Sequence, residues 1–394
     1  MKADRAEIRR QAKVVAIAGC VLGTAAAFAP SFLVMRPNRF VNGEVNSALT
    51  ALGAWGWILV TLWVAAGLVA LSPMPGTARG IATGLLGGGA AIVATWQSSV
   101  AAAAYTAAHG DIARVSFAYG YWLTLLAAYL VVFAATAWTP RGWPSVLVAY
   151  APIAGIAALL FTGNLASLSV MREYANNASD FAAQFELQLL YVLAAVSAGV
   201  LIGLPLGLLA ARRPAAEPVV FSVLNVLNVL PVLAFIGLLN PVLTSLSDSS
   251  PVVAALGVRG VGWAPVIVVL TAYAVYPITR NMYTAMTTLD PAVLDAAKGV
   301  GMGRWRRLFE VEFPLALPVV VAGIRIAVVQ TTAGAIIAGL VGGGGLGTFV
   351  FLGASQTAAD LILVGAVPIV AMALFFDRSA LLLESLLGRW GVRA

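Results

Sequence analysis

Histidine and cysteine each occur once in this chain, and only 10% of its residues carry charge. The single histidine, His109, excludes a multi-histidine metal centre. The single cysteine, Cys20, lies in an apolar segment and excludes an internal disulfide. A Gly-Lys-Ser/Thr phosphate loop is missing, so this chain binds no ATP through such a motif. Soluble domains carry roughly 25% charged residues. At 10% the chain cannot clothe a soluble globule in polar surface, and the bilayer becomes the expected solvent. The net charge of +7 does not require nucleic acid, because the cytoplasmic loops of membrane proteins collect Lys and Arg.

What is present is apolar: 61% of the 394 residues are hydrophobic. Ten apolar runs are long enough to span, near 14–35, 50–72, 80–104, 117–138, 145–163, 187–211, 218–238, 262–279, 316–340 and 358–377. Backbone groups in lipid must be bonded within their own segment, and the runs show no alternation of polarity. The expected fold is therefore all-α and polytopic. With the N-terminus inside, one side collects the basic N-terminal run, Arg79, Arg141, Arg212, Arg213, Arg280, the charges of residues 298–307, Arg378, Arg389 and Arg393. The other side holds only Arg36, Arg39, Arg114, Arg172 and Arg259. Positive charge concentrates on the cytoplasmic side, so both termini are expected there. The N-terminal run is long enough to span and carries no clear cleavage site, so it reads as a retained helix.

The chain divides in two. Residues 1–165 hold five spans joined by short loops. Residues 167–188 are the longest polar stretch on the outer side and open a second part, 166–394.

One cytoplasmic segment is unlike the rest. Residues 294–318 read LDAAKGVGMGRWRRLFEVEFPLALP and crowd four basic and three acidic residues into an apolar chain. Asp290-Pro291 supplies an N-cap and a first-turn proline. Gly299, Gly301 and Gly303 break that helix. Residues 304–312 resume it with Arg306 and Glu310 at i,i+4, and Pro314 and Pro318 mark the return to the membrane. Ala296, Ala297 and Gly301 leave little side-chain bulk, so another protein can approach closely. On physics alone an equal reading is a basic juxtamembrane loop on anionic lipid.

The run D-A-A-K-G-V-G, nine residues, then V-E-F-P resembles the "EAA" signature of ABC importer permeases. Asp295 stands at its Glu, Ala296 and Ala297 at its alanines and Gly301 at its glycine. Residues 202–214, 228–235 (NVLPVLAF) and 323–347 (GIRIAVVQTTAGAIIAGLVGGGGLG) resemble further segments of the same five-helix type I core. Residues 35–44 (MRPNRFVNGE) look like a segment of the larger permease in glycine betaine/osmoprotectant uptake systems. The resemblance implies a five-helix extension followed by a five-helix permease core in a bacterial inner membrane. It implies a coupling loop near 285–314, with Asp295, Ala296, Ala297, Gly301, Arg304, Arg306 and Arg307 facing a cytoplasmic ATPase dimer. ATP and Mg would sit on that ATPase, with no cofactor on this chain. A second permease subunit would complete the pathway, a shorter relative being favoured over a second copy. An extracytoplasmic solute-binding protein would deliver the solute, and membrane lipid would surround the helices. Solutes such as an amino acid, a methionine-like compound or a sulfonate are the alternative.

Three residues are candidates for the pathway. Arg325 lies inside span nine, where a charge must snorkel or be paired. Asn225 and Asn228 stand at i,i+3 on span seven, facing either the pathway or a neighbouring helix. The different-class alternative is an ion-coupled secondary transporter. That class shows repeated broken helices and intramembrane acids, whereas Asp and Glu here fall in loops and at span ends.

Overall fold

The computed structural model describes residues 2–38, 41–140 and 142–391. Arg39, Phe40, Arg141 and Arg393, used above for the side of the membrane or for the resemblance, lie outside the described residues. Ten of the described helices are long and apolar enough to span. The chain forms two compact units, Met1–Asn176 and Asn177–Ala394.

Unit 1 contains α1 (Lys2–Phe28), β1 (Leu33–Arg36), β2 (Glu44–Asn46), α2 (Ala48–Leu52), α3 (Ala54–Leu71), α4 (Gly76–His109), β3 (Arg114–Phe117), α5 (Tyr119–Thr136), α6 (Trp143–Phe161) and α7 (Ser169–Asn176). Helix α1 packs on α3 and α5, and α4 packs on α3, α5 and α6. The fully buried Trp63 of α3 sits in the main core of this unit beside Cys20, Leu59 and Val131. The expected first span, 14–35, is corrected: α1 ends at Phe28, because Pro30 disfavours helix at the residue before it. The chain then enters a small antiparallel sheet of order β2-β1-β3, with Leu33 opposite both Asn46 and Phe117. The sequence reading contained no strands. These are too short to be recognised by alternation, and β1 reads as a continuation of the apolar run before it.

Unit 2 contains α8 (Ala178–Arg212), α9 (Glu217–Val229), α10 (Val232–Ser249), α11 (Pro251–Ala255), α12 (Trp263–Thr287), α13 (Pro291–Gly299), α14 (Arg304–Arg307), a π-helical turn (Leu308–Glu312), α15 (Phe313–Gly334), a 3-10 segment (Ala335–Gly339), α16 (Gly347–Ser355) and α17 (Ala359–Gly391). Helix α12 is the hub and packs on α8, α9, α10 and α15; α17 packs on α15 and α16. Gly199, Gly203 and Gly207 of α8, spaced four apart, face α12. A Cβ at Gly203 would stand 3.0 Å from Ile278, and one at Gly207 would stand 2.6 Å from Met282. Small residues at this spacing let two membrane helices approach backbone to backbone, where lipid supplies no hydrophobic drive.

The expected seventh span, 218–238, is also corrected. It is two helices, with Leu230 and Pro231 both extended between α9 and α10. The Tyr273 hydroxyl donates to the Leu230 carbonyl that the break frees. The spanning helix of this pair is α10, shifted toward the C-terminus of the expected run.

Candidate functional site

The charged segment folds as its sequence suggests up to Gly301. Asp290 caps α13, its carboxylate accepting from the Ala292 amide at 2.9 Å. The helix is closed by Met302 N–H donating to the Ala297 carbonyl at 3.1 Å and Gly301 N–H to that of Lys298 at 2.9 Å. Gly301 stands at φ +79°, the left-handed conformation in which such helix ends are built. A Cβ there would meet nothing within 4 Å, so within this chain the glycine is required by its backbone conformation.

Asp295 and Ala296 are exposed on α13. Ala297 is not: it is buried, on a helix that packs against α14 and the π turn. Of the three small residues expected to leave room for a partner, Ala296 and Gly301 are exposed and Ala297 is buried. Asp295 accepts a hydrogen bond from Lys298 at 2.8 Å. That bond, and then the positive charge of the same lysine, hold its carboxyl below its ordinary value of 3.8.

The second half of the segment is the start of a long helix rather than a separate piece. Residues Arg304–Gly339 run as one helical rod through the π turn. Arg306 pairs with Glu310 at 2.9 Å, as their spacing suggests. Arg304 lies over the Trp305 ring at 5.0 Å. Trp305 and Phe309 stack at 6.2 Å and are 60% and 65% exposed. Large aromatics turned outward beside a charged helix make a surface patch suited to a protein partner.

Arg307 turns inward instead. Its Nε donates to Glu312 at 2.7 Å, and Arg212 at the end of α8 reaches the other oxygen of the same carboxylate. Glu312 is only 2% exposed. A buried carboxylate is tolerable when charged donors meet it. In the sequence, Glu312 stands among the acids of the charged segment and Arg212 among the cytoplasmic cations, and no spacing rule joins residues 100 positions apart.

Arg325, on α15, donates through Nε to Asp377 of α17 at 2.6 Å. Asp377 lies inside the spanning part of α17, Ala359–Glu384. Asp377 stands at the end of the expected span 358–377, and the apolar helix runs on past it to Glu384. Asn225 is exposed on α9 and Asn228 half-buried. The structure joins Arg325 to Asp377 and not to these asparagines.

Known proteins match in two pieces. Residues 203–389 match the family model "Binding-protein-dependent transport system inner membrane component", and residues 10–171 match "ABC transporter permease YehY, N-terminal domain". The glycine betaine/carnitine/choline transport system permease protein OpuCB of Bacillus subtilis is 35% identical, covering 48% of this chain and 80% of that permease. The osmoprotectant import permease protein OsmW of Salmonella typhimurium is 32% identical, covering 55% of this chain and 95% of that permease. A solved structure of the MetNI methionine ABC transporter overlaps with a TM-score of 0.45 at 20% identity, covering 51% of this chain and 93% of that one.

Proposed function

The chain belongs to the inner-membrane permeases of binding-protein-dependent ABC importers, and from that premise we propose that it carries glycine betaine, choline or a related quaternary ammonium solute inward. The solute class rests on its relatives, which are named for glycine betaine, carnitine and choline transport. It is a multi-pass transport component, and hydrolysis of ATP falls to a partner.

The observation that carries the coupling role is the joint at Glu312. The exposed face of α13, with Asp295, Ala296 and the Gly301 turn, together with Arg304, Trp305, Arg306 and Phe309, forms the docking surface for the ATPase. Arg307 is the link behind it, because it ties that surface through Glu312 to Arg212 of α8. A displacement of the docked knob is thereby delivered to two spanning helices at once. Charge-assisted hydrogen bonds from two arginines to one carboxylate are strong, so the two helices they join are expected to move together. Docking on this face places it, and with it both chain termini, in the cytoplasm. Asn225 and Asn228 are proposed to line the route of the solute on α9. Arg325 is proposed to hold α15 to α17 while its remaining donors stay available to that route. A second permease subunit completes the pathway.

The test is uptake into liposomes holding the permease with its partner permease and ATPase, supplied with binding protein and labelled glycine betaine. ATP-dependent accumulation is the expected result. ATP-driven uptake of another solute would retain the importer and refute the substrate. Uptake driven by an ion gradient and indifferent to ATP would refute both.

A further inference from the structure

Helix α12 has 25 residues, so it is about 37 Å long. Its Thr287 end leads into α13 and the coupling surface. Its Trp263 end is therefore the opposite rim of unit 2, and there a cavity of about 660 Å³ opens that the transport role leaves unused. It is lined by α8, by the segment leading into α12 and by the Gly342–Gly343 turn. Two bonds set the position of its walls. The Gly262 amide donates to the Val341 carbonyl at 3.0 Å, and the Tyr191 hydroxyl donates to the Gly343 carbonyl. The cavity is thus built into the fold.

Its chemistry is lopsided. Arg259 is the only charged residue among the described lining residues, and none of them is acidic. Most of the remainder is apolar, with Leu187, Leu190 and Ile267 set against the Trp263 indole at the start of a spanning helix. Tryptophan at that position marks the level of lipid headgroups. The apolar lining also continues outward: Leu190 and Leu193, three residues apart on α8, are 55% and 52% exposed. A small zwitterionic solute has no use for an apolar stripe leading out of its site. A diacyl lipid needs one.

We propose that this cavity binds an anionic phospholipid, its phosphate on Arg259 and an acyl chain along Leu190 and Leu193. With no acid in the lining to meet an ammonium, a headgroup without an amine, such as phosphatidylglycerol, is preferred over phosphatidylethanolamine. A bound lipid wedged between α8 and the start of α12 would brace the two helices at the rim away from the ATPase.

The test is native mass spectrometry of the full importer complex, purified in detergent and titrated with phosphatidylglycerol. Retained lipid is expected on the wild type. Arg259→Gln, a surface change remote from the packed core, is expected to bind about fivefold more weakly, the effect of one cation near a lipid surface. Arg259→Lys should keep most of the binding, and Leu190→Asp should abolish it by charging the chain groove. Equal retention by wild type and Arg259→Gln would overturn the proposal. Displacement by glycerol phosphate as effective as by the lipid would show a soluble anion site, and displacement by glycine betaine a solute site. Either would overturn it too.

Discussion

Arg212 and Glu312, 100 positions apart, meet at the joint between α8 and the helix that rises from the charged segment. Arg307 holds the same carboxylate from the other side. Removing either arginine leaves a carboxylate that is still half-satisfied, whereas removing the acid leaves the largely buried Arg307 without its partner and Arg212, 42% exposed, to water. Glu312→Gln should therefore cost more than either Arg212→Met or Arg307→Met. A cycle over Arg212→Met and Glu312→Gln should show a coupling of about 0.5–3 kcal/mol in thermal unfolding. ATP-driven uptake should fall further than ATPase docking, because the joint lies behind the docking face. Additive effects on stability would show that the two residues do not work as a unit.

Why was this joint invisible in the sequence while α13 was not? Asp290-Pro291 and the Arg306–Glu310 pair are local patterns, set by helix geometry over four residues, and both are realised. Arg212–Glu312 and Arg325–Asp377 are long-range, and a single sequence offers no spacing rule that joins them. The break at Leu230-Pro231 is an intermediate case. Proline freezes the residue before it in extended backbone, yet Pro152, Pro205, Pro277 and Pro368 are carried inside helices without ending them. What distinguishes Leu230 is a donor for its freed carbonyl, the Tyr273 hydroxyl, on a helix far along the chain. The inward turn of Ala297 follows the same logic. Its helix was legible, but the face it buries depends on α14 packing behind it.

The Arg325–Asp377 pair makes a reciprocal prediction. Arg325→Met leaves Asp377 with only the more distant Arg378, at 4.0 Å, and Asp377→Asn leaves Arg325 without its carboxylate. Each should lower stability by about 1–3 kcal/mol, the cost of an unmatched, partly buried charged group. The double substitution should recover most of that loss, because both partly buried charges are removed together and Arg378 is exposed. Melting temperature in detergent is the readout. A double variant as unstable as the sum of the singles would mean that the pair is incidental.

The break between α9 and α10 is testable through Tyr273. Its hydroxyl is the partner of the Leu230 carbonyl. Tyr273→Phe keeps the ring and removes the donor, so it should cost about 0.5–1.5 kcal/mol. Pro231→Ala should let helix propagate through the break and move Asn228 relative to α10, with uptake lost more than stability. Uptake unchanged in Pro231→Ala would show that the break has no part in transport.

Asp295 carries a pH prediction with a definite sign. Its carboxyl is held below 3.8 by the Lys298 hydrogen bond first and that lysine's charge second. A group depressed in the folded state contributes its stabilisation above the unfolded value, and the contribution fades as pH falls through the folded value. ATPase co-purification should therefore be constant from about pH 8 to 5 as far as this residue is concerned. In Lys298→Met the loss on acidification should begin at higher pH, closer to the ordinary carboxylate range. If wild type and Lys298→Met lost the partner at the same pH, Asp295 would not be part of the docking face.

Gly301 and Ala296 separate conformation from contact on that face. Gly301 has positive φ and open space beyond its Cα, so Gly301→Ala should cost about 1–2 kcal/mol of local backbone strain without any clash inside the chain. Gly301→Asn should be milder, since asparagine enters the left-handed region more readily. Ala296 is exposed on regular helix, so Ala296→Trp adds bulk with little strain. If the ATPase docks here, Ala296→Trp should abolish co-purification while the permease inserts and melts normally. Gly301→Asn should then retain binding that Gly301→Ala weakens. Retention of the ATPase by Ala296→Trp would remove α13 from the interface, and with it the route from the knob through Arg307 and Glu312 to α8.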